Sequence, residues 1–130
     1  MWKLRITKYL SEPYLGNLSR AMGSQSHITN SPLPMRLKEA RLAKGLSQKA
    51  LGLAIGMDEF SASPRMNHYE RGRHAPDFST LCRMAQLLEV PTAYFYAEED
   101  WLAEAIKVLE NVPEGNRREL LKSIKAVGNQ

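Results

Sequence analysis

Between Leu46 and Gly72 the chain reads LSQKALGLAIGMDEFSASPRMNHYERG, and no other stretch constrains its fold as tightly. Ser47 is a good N-cap, so a helix opens at Gln48 with Leu51, Ala54 and Ile55 on one side. Gly56 stops that helix, because glycine takes the left-handed conformation after a helix end without a steric cost. Past Met57 to Phe60, either Ser61 or Ser63 can cap a second helix. That helix tolerates Pro64 only in its first turn. Met66 and Tyr69, three apart, point inward and leave Arg65, Asn67 and His68 outward. Gly72 closes the unit. A short helix with small residues at its start and Arg, Asn and His on its outer face suits the DNA major groove.

The flanking sequence supplies more helices. A first helix runs from near Pro34 to Gly45, with Leu37, Ala40 and Arg41 on its inner side. After the loop His74-Ala75-Pro76, Asp77 caps a helix in which Phe78, Leu81, Cys82, Ala85 and Leu88 recur at helical spacing. Pro91-Thr92 starts a short fifth helix containing Tyr94, Phe95 and Tyr96. Two further apolar stripes follow: Trp101, Leu102, Ala105, Ile106 and Leu109, then Leu120, Leu121, Ile124 and Val127. The fold class is therefore all-α, without internal repeats. Residues 1–32 read as a flexible leader. Trp2, Leu4 and Ile6 alternate as in a strand but have no second strand to pair with, and Gly23 to Pro34 is linker-like. A basic arm along DNA is the alternative reading of this leader.

Charge is spread unevenly. Residues 1–33 carry four basic and one acidic residue (+3), residues 34–97 nine and six (+3), and residues 98–130 five and seven (−2). The positive excess thus travels with the two-helix unit, as expected for a partner of nucleic acid. With 43% hydrophobic and 25% charged residues the composition is that of a soluble globular protein. No apolar run suits a membrane span and no secretory leader is seen, and the single cysteine, Cys82, fits a reducing cytoplasm. His68, His74 and Cys82 lack metal-ligand spacing, and no phosphate-cradling glycine loop or nucleophile set occurs. No enzyme, metal or cofactor is expected.

The residues Gly45-Leu46-Ser47-Gln48 preceded by Arg41, the Leu51 register, the ending Tyr69-Glu70-Arg71-Gly72 and a later helix closing on Leu87-Leu88-Glu89-Val90 together carry a resemblance. The stretch from Leu33 to Ala97 resembles the phage-repressor-type (Cro/C1, XRE-like) helix-turn-helix regulators. That resemblance implies a five-helix, lambda-repressor-like DNA-binding domain over residues 33–97; residues 98–130 read as a C-terminal helical appendage whose apolar stripes either close a dimer or fold back onto the domain. It implies Ser63, Arg65, Asn67 and His68 as base-contacting residues, and Gln48, Arg71 and Arg73 as phosphate-contacting ones. It also implies a structural ion pair between Arg41 and Glu70. The chain departs from the pattern twice. Gly52 stands where alanine is usual, on the expectation that either small residue lets the two helices cross. The segment from Gly56 to Met66 is longer than usual, and Asp58 and Glu59 within it would oppose a phosphate backbone.

The expected function is a cytoplasmic, sequence-specific transcriptional regulator, a repressor, acting as a homodimer on double-stranded DNA. The alternative is a protein-interaction module, such as the antitoxin of a toxin–antitoxin pair, with a protein partner in place of DNA.

Overall fold

The structure, a computed structural model, describes residues 31–130. The expectations for a strand at Trp2–Thr7, a basic arm and a flexible leader lie outside the described residues. Within them the chain forms six α-helices and no strands. These are α1 (Leu33–Ala43), α2 (Gln48–Ala54), α3 (Ala62–Glu70), α4 (Phe78–Leu88), α5 (Asp100–Glu110) and α6 (Glu114–Gly128). A 3₁₀ turn, Thr92–Tyr96, stands at the position of the expected fifth short helix.

Local signals set the boundaries. The Ser47 hydroxyl accepts from the Ala50 N–H at 3.0 Å and opens α2. The Asp77 carboxylate accepts from the Thr80 N–H at 2.7 Å and opens α4. That bond and the Thr80 hydroxyl hold the Asp77 carboxyl below the usual carboxylate range. Gly56 (φ +92°) and Gly72 (φ +67°) are left-handed, as the breaks after α2 and α3 require. Glu89 ends α4 in the same region (φ 55°) without being glycine, and its carboxylate pairs with Lys44, the residue that follows α1.

Leu37, Leu51, Met66, Leu81, Met84 and Phe95 are fully enclosed where α1 to α4 and the 3₁₀ turn meet. Burying a side chain of this size contributes about 1.5–3 kcal/mol, whereas an exposed ion pair such as Lys49–Glu59 contributes about 0–1 kcal/mol. The apolar cluster therefore holds the domain together. Two residues expected on inward faces are exposed, Ala54 at the last position of α2 and Phe78, and Cys82 is only half-buried. Phe78 is exposed, because it sits at the first position of α4, beyond the edge reached by Leu81, Met84, Ala85 and Leu88.

A buried arginine joins the C-terminal part to this core. Arg36, on α1, is 3% exposed. Its Nε donates to the Ala97 carbonyl (2.9 Å) and its Nη2 to that of Glu98 (3.2 Å). Its Nη1 lies 3.0 Å from Glu39 and 2.9 Å from Asp100, the first residue of α5. Burial opposes the guanidinium charge, but the hydrogen bonds to Glu39 and Asp100 more than offset it and hold the group charged. From that anchor α5 lays Ala103 and Ile106 on the core. Helix α6 buries no residue, and Leu121, Ile124 and Val127 are exposed along it.

Candidate nucleic-acid interface

Three side chains lock α3 against α1 and α2. The Glu70 carboxylate, almost fully buried, accepts from Arg41 Nε and, at 3.1 Å, from Arg41 Nη2. It accepts a third bond from Gln48 Nε2 at 2.8 Å. Arg41 Nη1 donates to the Leu46 carbonyl at 2.7 Å, so one guanidinium ties α1, the turn after it and α3. A fork of this shape fits a carboxylate bidentately, which fixes orientation as well as energy. The axial rotation of α3 is thereby set: Met66 (0% exposed) and Tyr69 (9%) face the core, and the opposite side faces solvent.

On that outer side Arg65 is exposed, and Ser63, Asn67 and His68 are half-exposed. All four expected base-contacting residues thus lie on α3 with part of the side chain accessible. Arg71 and Arg73 are exposed just beyond it. Gly72 turns the chain back, so that the N–H groups of Arg73 and His74 both donate to the His68 carbonyl, at 2.9 and 3.4 Å. Gln48 is placed differently from a freely solvated residue. One of its amide hydrogens is given to Glu70, and among the described residues the second has no partner.

The carboxylates of the long turn are engaged locally. Asp58 folds inward, accepting from the N–H groups of Phe60 (3.1 Å) and Ser61 (3.0 Å) and from the Ser61 hydroxyl. These bonds, the Ser61 hydroxyl first, hold its carboxyl below the usual range. Ser61 occupies the N-cap position of α3, yet its hydroxyl is taken by Asp58 and caps nothing. Glu59 pairs with Lys49 at 3.0 Å. Phe60, at the tip, is 91% exposed beside the start of α3. Sequence periodicity gives no reason to single it out, since it lies outside both helices.

Gly52 accounts for the tight crossing of α2 and α3. A Cβ built on it would stand 2.8 Å from the Ala62 Cβ and 3.0 Å from the Ala62 backbone. The expectation that alanine would serve equally is corrected: a methyl here requires Ala62 to shift, and glycine does not.

A helix-turn-helix family model matches residues 37–95. The crystal structure of transcriptional regulator BswR is 48% identical, with a TM-score of 0.64, over 72% of this chain and 92% of that one. The chain belongs to the Cro/C1-type helix-turn-helix family. None of the curated proteins matches it. In helix-turn-helix terms, α2 and α3 are the paired helices, and α3 is the one with the polar outer face. Among the described residues no helix is long and apolar enough to cross a membrane, and no cluster of three metal-ligating side chains occurs.

Proposed function

We propose that the protein is a cytoplasmic, sequence-specific transcriptional regulator that represses by occupying an operator, with α3 in the major groove. The observation that carries this reading is the polar outer face of α3, held in fixed orientation by the Glu70–Arg41–Gln48 lock. Arg65 can bond guanine bidentately and Asn67 can do so with adenine, with Ser63 alongside. Arg71, Arg73 and the second amide hydrogen of Gln48 supply backbone contacts, which give affinity without sequence information. The basic residues on and beyond α3 favour DNA over a protein partner such as a toxin.

Reading and gripping separate experimentally. Arg65→Ala or Asn67→Ala is expected to weaken specific binding by about 1–3 kcal/mol and to relax preference at individual base pairs. Arg73→Ala is expected to weaken operator and random duplex alike. It should also flatten the plot of log K against log salt by about 0.9 for each phosphate that is no longer neutralised. Genomic selection with the purified protein supplies the operator, and titration of the three variants across a salt series makes the comparison. Equal losses on operator and scrambled duplex for Arg65→Ala and Asn67→Ala would favour the interaction-module reading instead.

The reading includes a homodimer built through residues 98–130. A single module of this kind buries only about 600–1,000 Å² on DNA, so two half-sites are needed for tight specific binding. An isolated helix as short as α6, which has 15 residues, is marginal in water. Charge complements shape. From Glu98 to Glu110 there are five acidic residues and one lysine, whereas α6 carries four basic and two acidic residues. Helix α6 of one copy therefore suits α5 of another, its Leu121 and Ile124 meeting the exposed Trp101 and Leu102. Sedimentation of the full chain carrying Leu121→Glu and Ile124→Glu together is expected to show a folded monomer where the parent is a dimer. A variant as dimeric as the parent would place the interface elsewhere.

A further inference from the structure

Resting on the reading of α3 as the DNA-facing helix, we propose that His68 and His74 form a proton-linked seat for a DNA backbone phosphate. The two rings come together because Gly72 folds the chain back over the end of α3. Their centroids are 5.3 Å apart and their planes are tilted by 57°. They border a cleft of about 400 Å³ on the outer side of α3, lined also by Ser61, Pro64, Arg65 and the edge of Tyr69. His74 is exposed and His68 half-exposed, and among the described residues neither imidazole takes part in a hydrogen bond or ion pair.

The groups facing this pair come from three segments. Helix α3 contributes Arg65 and the largely buried Tyr69, and the chain after it contributes Ala75, while Arg73 precedes His74 in sequence but does not line the cleft. The turn before it contributes Ser61, behind which Asp58 is engaged in its own hydrogen bonds. No carboxylate lines the cleft itself. The permanent charge lining the cleft is therefore the Arg65 guanidinium. A phosphodiester entering the cleft supplies an anion. A protonated imidazole donates to it from either nitrogen through a charge-assisted bond, whereas the neutral ring has one N–H to give.

The DNA complex holds the imidazole proton more tightly than the free protein, so binding takes up protons and affinity rises as pH falls. Imidazole is the side chain whose charge changes near neutrality, so the gradient falls between about pH 6 and about pH 8. Holding one proton one pH unit more tightly raises affinity about tenfold across that window.

The test is a titration of the full-length protein with a short fluorescent duplex of random sequence, at fixed ionic strength, from about pH 8 to about pH 6. The parent is expected to gain affinity by up to about tenfold per proton. His68→Gln and His74→Gln should each shallow the gradient and the double variant should abolish it, with folding checked by thermal melting at each pH. A parent whose binding does not change with pH, or a folded double variant that keeps the full gradient, would overturn the inference while leaving α3 as a DNA reader. Absence of duplex binding at every pH would overturn both.

Discussion

Glu70→Gln is expected to destabilise the domain by about 3–5 kcal/mol, since removing one partner of a buried ion pair leaves the other charge uncompensated. Arg41 has nowhere else to go. Its side chain is nearly as enclosed as that of Glu70, and two of its three nitrogens are aimed at the carboxylate. Glutamine keeps the shape but presents one acceptor and two further donors, where Arg41 and Gln48 already supply three. The melting temperature should fall by roughly 10 °C or more, on the scaling for a domain of this size. Gln48→Ala removes one neutral donor to a carboxylate and should cost about 1.5–3 kcal/mol at most. Thermal unfolding of both variants by circular dichroism gives the comparison. An unchanged melting temperature for Glu70→Gln would mean that the lock does not carry the orientation of α3.

Gly52→Ala is expected to destabilise, against the usual direction for a glycine inside a helix. Propensity alone predicts a gain of about 1 kcal/mol. The added methyl, however, would stand 2.8 Å from the Ala62 Cβ and 3.0 Å from backbone atoms, which cannot move aside as a flexible side-chain end can. Overpacking of this kind costs about 1–3 kcal/mol, and a branched side chain costs more. Denaturant titration should therefore place Gly52→Ala at or below the parent and Gly52→Val well below it. A stabilised Gly52→Ala would show that α2 and α3 separate more readily than their geometry implies. The same contact couples the chain's two departures from its family pattern. The longer turn delivers Ala62 onto α2, and the absence of a side chain at position 52 receives it.

What the sequence makes legible is local. Ser47, Asp77, Gly56 and Gly72 each act within a few residues, so their roles as caps and breaks can be read directly, as can the inward Met66 and Tyr69. Resemblance supplies the long-range pairing of Arg41 with Glu70, which no spacing implies. Arg36 escapes sequence reasoning for the same reason: apart from Glu39 one turn away, its partners lie at positions 97, 98 and 100, and nothing near it in sequence marks it as buried. Phe78 misleads because helical spacing gives a face but not where the core beneath that face ends. The outer face of α3 is legible as a set, while the meeting of His68 with His74 depends on a backbone reversal that pattern alone does not place. The stripes of α5 and α6 are also legible as apolar, though a stripe does not name what covers it.

The Arg36 joint bears on how far apart two reading heads can stand. A flexible tether between domain and appendage would let a pair of α3 helices adapt to operators of various lengths. Here the guanidinium grips two consecutive carbonyls and the first residue of α5, so the appendage leaves the domain at a set angle. A dimer closed through such helices behaves as a gauge rather than a leash. Inserting one base pair between half-sites turns one of them by about 35° around the duplex axis, at about 10–10.5 base pairs per turn. In the dimer proposed above, a joint fixed in this way leaves no slack between α1 and α5 to absorb that rotation, and discrimination by spacing is expected to depend on Arg36, far from any base.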